Sequence, residues 1–174
     1  MDAPKSKTLE IIIPAYRMHT QSFNNALDGI EKDKALERID GVTNHVIWMA
    51  GNLVNCRYWL ANILGIDDKD PHEDLFADAK ALDESLAYPT LERLKQEWHK
   101  ISPLLYKRLL AVTDDELNEA FEFGMNVPFV AENKLNMVGM CIGREDYLLG
   151  QIGLMRRILG LKGMSYNVDE TLKY

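Results

Sequence analysis

With 174 residues, 47% of them hydrophobic, the chain has length for one domain and material for one core, which excludes bulk disorder and a pair of full-sized domains. Lys and Arg number 20 against 27 Asp and Glu, and the resulting net charge of -7 disfavours nucleic-acid backbones and anionic lipid as partners. No apolar run reaches the ~18 residues of a membrane span, and Met1-Asp2-Ala3-Pro4-Lys5 leads into no signal-peptide core, so a cytoplasmic protein is expected.

Apolar residues recur three and four apart in four long segments, and nothing of comparable quality alternates with period two, so the predicted class is all-α. Leu9, Ile12, Ile13, Tyr16, Thr20, Phe23, Leu27 and Ile30 form the first stripe, with Pro14 tolerable near a first turn. Gly29 and the charged run 31–38 end it. A second helix is predicted from Thr43, as N-cap, to Gly65, and its wide apolar rows place most of it in the core. The polar stretch 66–88 reads as a long, mobile connection with short helical pieces. Thr90 opens a third helix carrying Leu91, Leu94, Trp98, Ile101, Leu105 and Leu109, which Pro103 should bend. Thr113-Asp114-Asp115-Glu116 caps a short helix over 114–121, and residues 123–130 form a connector of extended type. A fourth long helix covers 133–160 and closes at Gly160. Four long helices with unequal connections, the one between helices 2 and 3 being long, predict a four-helix bundle spanning 1–174 as one domain, its core at about 8–160 and a surface extension or strap over 161–174.

Several strings in this frame look familiar. Gly41-Val42-Thr43-Asn44-His45-Val46-Ile47-Trp48-Met49-Ala50-Gly51-Asn52-Leu53 resembles the second-helix entry of the DinB-like superfamily. Arg144-Glu145-Asp146-Tyr147-Leu148-Leu149-Gly150-Gln151-Ile152, followed by Arg156-Arg157-Ile158-Leu159-Gly160, is similar to its fourth-helix signature. Thr90-Leu91-Glu92-Arg93-Leu94 and Thr113-Asp114-Asp115-Glu116-Leu117 are similar to its third helix and the turn after it. The resemblance implies a bundle holding a divalent nickel or zinc ion on three His, one on the second helix and an i, i+4 pair on the fourth. Carried over, those positions are Asn52, Arg144 and Leu148, and none is a His. An amide oxygen is a poor ligand for such ions, a guanidinium cannot deprotonate and Leu has no lone pair, so neither a metal nor another cofactor is predicted.

Arg144 shares a helical row with Met137, Cys141, Leu148 and Met155, so its charge needs a partner or a wet cleft. Two readings stay open. In one, Asn52 hydrogen-bonds to Arg144 across the bundle and the guanidinium takes a small carboxylate or phosphate. In the other, Arg144 pairs with an acid such as Glu145 and the site is structural. The remaining candidates are His45, a helix-entry residue two turns before Asn52; Cys56 and Cys141, each a small buried hydrophobe or a thiol facing the same place; and Gln151 of the signature string. His19, His72 and His99 read as solvated. The expectation is a small-ligand-binding or interaction protein, linked to stress or detoxification by the resemblance, with catalysis undecided and less favoured. The alternative is a thiol-dependent S-transferase or isomerase, or a metal-dependent hydrolase, of the same superfamily. Apolar rows on the first two helices suggest a homodimer.

Overall fold

A computed structural model describes residues 3–124 and 127–174. Among the described residues the chain is all-helical: no strand forms, and one isolated antiparallel bridge joins Ala120 to Asn133. Residues 125 and 126, within the expected connector, lie outside the described residues. Four long helices share one core: α1 (Ile12–Leu27), α2 (Val46–Ile63), α3 (Leu91–Ala111) and α4 (Lys134–Ile158). None of the helices is long and apolar enough to cross a membrane among the described residues.

The first helix is shorter than its stripe. Residues Lys7–Glu10 make a separate 3-10 turn, and Pro14 falls in the first turn of α1, where a missing N–H is no loss because it has no intrahelical partner. The charged run forms its own turn, Lys32–Ala35. Helix α2 starts two residues later than expected, because its N-cap is His45, whose Nδ1 accepts the Trp48 N–H at 2.9 Å. Thr43 instead accepts the Ile39 N–H at 2.9 Å and closes the preceding loop. Both α2 and α4 end in Schellman turns. Gly65 (φ 88°) and Gly160 (φ 80°) take the left-handed position, with Ile66 N–H on the Ala61 carbonyl and Leu161 N–H on the Arg156 carbonyl, each at 2.9 Å. Helix α3 runs through Pro103 without interruption, capped by Thr90, and the turn after it, Asp114–Asn118, carries the full capping box between Thr113 and Glu116.

Side-chain pairings fix the directions. His19 meets Glu145 and the Ala26 carbonyl meets Arg156, so α1 and α4 run parallel. Arg57 meets Ser102 and the Leu64 carbonyl meets Arg108, so α2 and α3 are also parallel. Arg144 reaches back to Asn52 and Cys56 to Cys141, making α2 and α4 antiparallel. Since α2 and α3 point the same way, the chain between them must return along the molecule, which is why that connection is long. On its way, the short helix Glu73–Phe76 buries Phe76 against Gly51 of α2. The tail after α4 lies back over α1: Gln21 exchanges two hydrogen bonds with Asp169, at 3.1 and 3.0 Å, and Asn25 donates to the Asn167 carbonyl at 2.9 Å.

Candidate functional site

Two features bring polar side chains together between the helices. The first is a buried charge cluster to which all four long helices contribute. Arg57 of α2, 1% exposed, donates from Nε to Glu145 Oε1 (2.7 Å) and from Nη2 to Glu145 Oε2 (3.1 Å). Its Nη1 donates to Thr20 Oγ1 (2.9 Å) and Ser102 Oγ (2.6 Å), and Nη2 also reaches the Tyr16 carbonyl at 3.4 Å. The five N–H groups of a guanidinium are thereby all used. Aromatic rings lie against it as well: the guanidinium carbon is 4.1 Å from the Tyr16 ring and 3.4 Å from the Trp98 ring. Phe23 stacks on Trp98 at 4.2 Å and Tyr106 on Tyr16 at 6.2 Å, so two stacked aromatic pairs adjoin the cation.

His19 extends this cluster to the surface. Its Nδ1 is 3.0 Å from Glu145 Oε2 and its Nε2 2.9 Å from Asp146 Oδ1, the first carboxylate buried and the second exposed. Ionised carboxylates only accept, so meeting both requires a proton on each ring nitrogen. Burial works against that charge, but Glu145 and Asp146 outweigh it and hold His19 above the usual histidine pKa. For Glu145 burial favours the neutral acid, and Arg57 with His19 overcomes it, leaving the carboxyl below its ordinary value. Inside the core Glu145 thus neutralises Arg57 and holds one face of His19, while Asp146 meets the other at the surface.

The second feature is a cleft of about 570 Å³ between α2, α4 and the connection after α2. Arg144, half-buried, donates from Nε (3.2 Å) and Nη2 (3.0 Å) to the single Oδ1 of Asn52. Among the described residues no carboxylate lies within 4.0 Å of this guanidinium, and its Nη1 group has no protein acceptor. Cys56 and Cys141 line the same cleft, as do Trp59, Phe76 and Phe123. Acidic side chains on the far wall are Asp70, Glu73 and Asp78. Burial pushes the Asp70 carboxyl upward despite hydrogen bonds from Asn55 and the His72 N–H.

Asn52, Arg144, Cys56 and Cys141 are therefore brought together, whereas Leu148, His45, Glu145 and Gln151 are not part of the cleft lining. Leu148 is a core side chain, 1% exposed. His45 caps α2 and lines a different cavity, of about 640 Å³, where it meets Tyr88 edge to face at 4.9 Å. Gln151 is half-buried on α4. Glu145 does not pair with Arg144, because the two lie next to each other on a helix and point to different faces; Glu145 belongs to Arg57. The reading of His19, His72 and His99 as solvated is corrected: His19 is buried, and the other two are half-buried. His99 sits between Asn24 (3.1 Å) and the Tyr174 hydroxyl (3.4 Å) of the tail. The two cysteines, 85 positions apart in the chain, are neighbours in space.

The three positions where the resemblance would place a metal do not fit one. Asn52 Oδ1 is taken by Arg144, the guanidinium offers only donors, and Leu148 faces the core. Among the described residues no group of three or more His, Cys, Asp or Glu is arranged so that it could hold a metal ion.

Arg57 is not among the candidates the sequence offered, although it is the centre of the buried cluster. The signal was available: Leu53 and Leu60 flank it at i−4 and i+3, and Ile142 and Leu149 flank Glu145 at i−3 and i+4. A cation and an anion, each inside an apolar helical row, call for each other. Compared with family models, with curated proteins and with solved structures, the chain matches none of them.

Proposed function

We propose that this chain is a DinB-like four-helix bundle in which the position of the family's metal has become a binding cleft for a small carboxylate- or phosphate-bearing molecule, taken up by Arg144. The observation that carries the reading is the state of that guanidinium: it faces a cleft, is held in orientation by Asn52, and has no carboxylate partner among the described residues. A fixed planar fork with open donors matches the two oxygens of a carboxylate or phosphate. Trp59, Phe76 and Phe123 give the apolar part of such a ligand somewhere to lie, while Asp70, Glu73 and Asp78 oppose multiply charged anions. A role in stress response or detoxification is the physiological setting the resemblance favours.

Calorimetric titration with acetate, succinate, inorganic phosphate and phenyl phosphate tests it. At least one of these should bind, and Arg144→Gln should weaken it by roughly 10- to 100-fold, the worth of a hydrogen-bonded charge. Arg144→Lys should recover only part. Binding that is indifferent to Arg144→Gln, or absent for every probe, would count against the reading. We also propose a homodimer, with a changed interface. Helix α2 is almost wholly covered, so its rows are not available, whereas Ile11 and Met18 at α1 and Tyr147 and Leu154 on the parallel α4 are exposed. Light scattering at micromolar concentration should return twice the chain mass; a single chain's mass would refute it.

A further inference from the structure

Helices α2 and α4 are joined across the cleft by two successive rungs. The first is Asn52 with Arg144. One turn further along the antiparallel pair comes the second, Cys56 with Cys141. The Cys56 thiol donates to the Cys141 carbonyl at 4.0 Å, which sets the two cysteines side by side on facing helices. Both cysteines are free, and both line the cleft.

We propose that Cys56 and Cys141 form an oxidisable dithiol, which a hydroperoxide entering the cleft converts to a disulfide that ties α2 to α4 beside Arg144. The inference rests on the cysteine geometry and not on the anion-binding reading.

The two sulfurs have different parts to play. Cys141 is the more enclosed, 3% exposed against 9% for Cys56. Its neighbouring thiol, together with burial, pushes the Cys141 pKa well above the ordinary range and keeps it protonated. Cys56, the more exposed of the two cleft-lining cysteines, is the one that attacks. As thiolate it takes the distal oxygen of the hydroperoxide, the O–O bond breaks, and the departing alkoxide or hydroxide picks up the proton that Cys56 released. This leaves a sulfenic acid on Cys56 and an alcohol or water. The Cys141 sulfur then attacks the Cys56 sulfur, the S–OH bond breaks, and the hydroxide leaves as water with the Cys141 proton. In sum two thiols lose two protons and two electrons, and one hydroperoxide is reduced to one alcohol (or water) and one water. No other Cys exists in the chain to compete as the resolving thiol.

The test uses the full chain. Reduced protein is treated with a small excess of hydrogen peroxide, its thiols are counted with a chromogenic disulfide, and the unreduced protein is digested and mapped by mass spectrometry. The expected result is loss of both thiols, a mass lower by two hydrogens, one peptide pair linking Cys56 to Cys141 within a single chain, and full reversal by dithiothreitol. In Cys141→Ser a sulfenic acid should accumulate on Cys56 and be trapped by dimedone, whereas Cys56→Ser should trap little. Two thiols that persist in the treated native protein would overturn the proposal. So would oxidation that runs on to sulfinic acid at one cysteine, or disulfides found only between chains. The wild-type thiol count and peptide map decide the matter even if a serine variant folds poorly.

Discussion

Arg57 is a fully bonded, fully covered cation, and its surroundings determine what its removal does. Arg57→Met strands the Glu145 carboxylate in the core, and Glu145→Gln strands the guanidinium. Either change should lower unfolding free energy by about 3–5 kcal/mol, while Arg57→Met with Glu145→Leu together should recover much of it. Urea unfolding of the two single variants and the double variant measures this directly. The histidines add a dependence on pH with opposite signs. His19 is held above 6.5, so its contribution is complete below pH 6.5 and fades as pH rises through its folded pKa. Glu145 is held below 4.5, so its contribution is complete above pH 4.5 and fades as pH falls through its own. The cluster is therefore fully stabilising between pH 4.5 and 6.5. His45 behaves in the reverse sense to His19. Burial, chiefly, keeps it below 6.5 and neutral, as its role in accepting the Trp48 N–H requires, so its contribution is lost as pH falls through the folded value. Thermal midpoints taken from about pH 4.5 to 8 should lose their alkaline decline in His19→Gln. In His45→Asn, which keeps an N-cap acceptor, they should lose part of their acid decline.

At the level of elements, what sequence reading recovered and what it missed separate by the range of the interaction. Thr90, Thr113 and Asn133 each accept an N–H three residues away, so the ends they mark could be read locally. Thr113→Ala should cost about 1 kcal/mol by loss of the capping box, checked by thermal unfolding. The start of α2 is an exception, since two local caps compete there: Thr43, a good cap by composition, accepts the Ile39 N–H of the preceding loop, and His45 takes the cap. Arg57, His19 and Glu145 were illegible as a group because their partners arrive from other helices, and only the directions of those helices bring them together. The cleft shares that cause: Asn52 and Arg144 could be matched as positions, but its outer wall is made by the connection after α2. That wall is docked through Gly51, where an added Cβ would sit 2.0 Å from the Phe76 ring. Gly51→Ala should expel Phe76, cost about 1–3 kcal/mol, and speed proteolysis within 66–88. Limited trypsin digestion beside a thermal melt would separate this local loosening from a general loss of stability.

For the molecule as a whole, two pairs of parallel neighbours place every polar contact of the cluster between segments distant in the chain. The tail contributes differently. Its hydrogen bonds to Gln21 and Asn25 are exposed, so they are exchanged with water at little gain. Deleting residues 166–174 should lower the thermal midpoint by no more than about 2–4 °C. The same deletion should change the titration of His99, which loses the Tyr174 hydroxyl, as histidine NMR would register.

The stack around Arg57 also sets an order of events in time. Thr20 is 37 positions from Arg57 and Ser102 is 45, whereas Glu145 is 88 away and its link to His19 spans 126. Closing the shorter loops costs less entropy, so the guanidinium meets hydroxyls and aromatic rings before it meets its counter-ion. An assembly of α1, α2 and α3 alone would enclose an uncompensated cation and is penalised for it, and the seating of Glu145 from α4, after the folding barrier, removes that penalty. In stopped-flow chevrons, Thr20→Val and Ser102→Ala should slow refolding, while Glu145→Gln should act mainly by accelerating unfolding. The residue that neutralises the core is then the last to be secured and the one whose departure begins its opening.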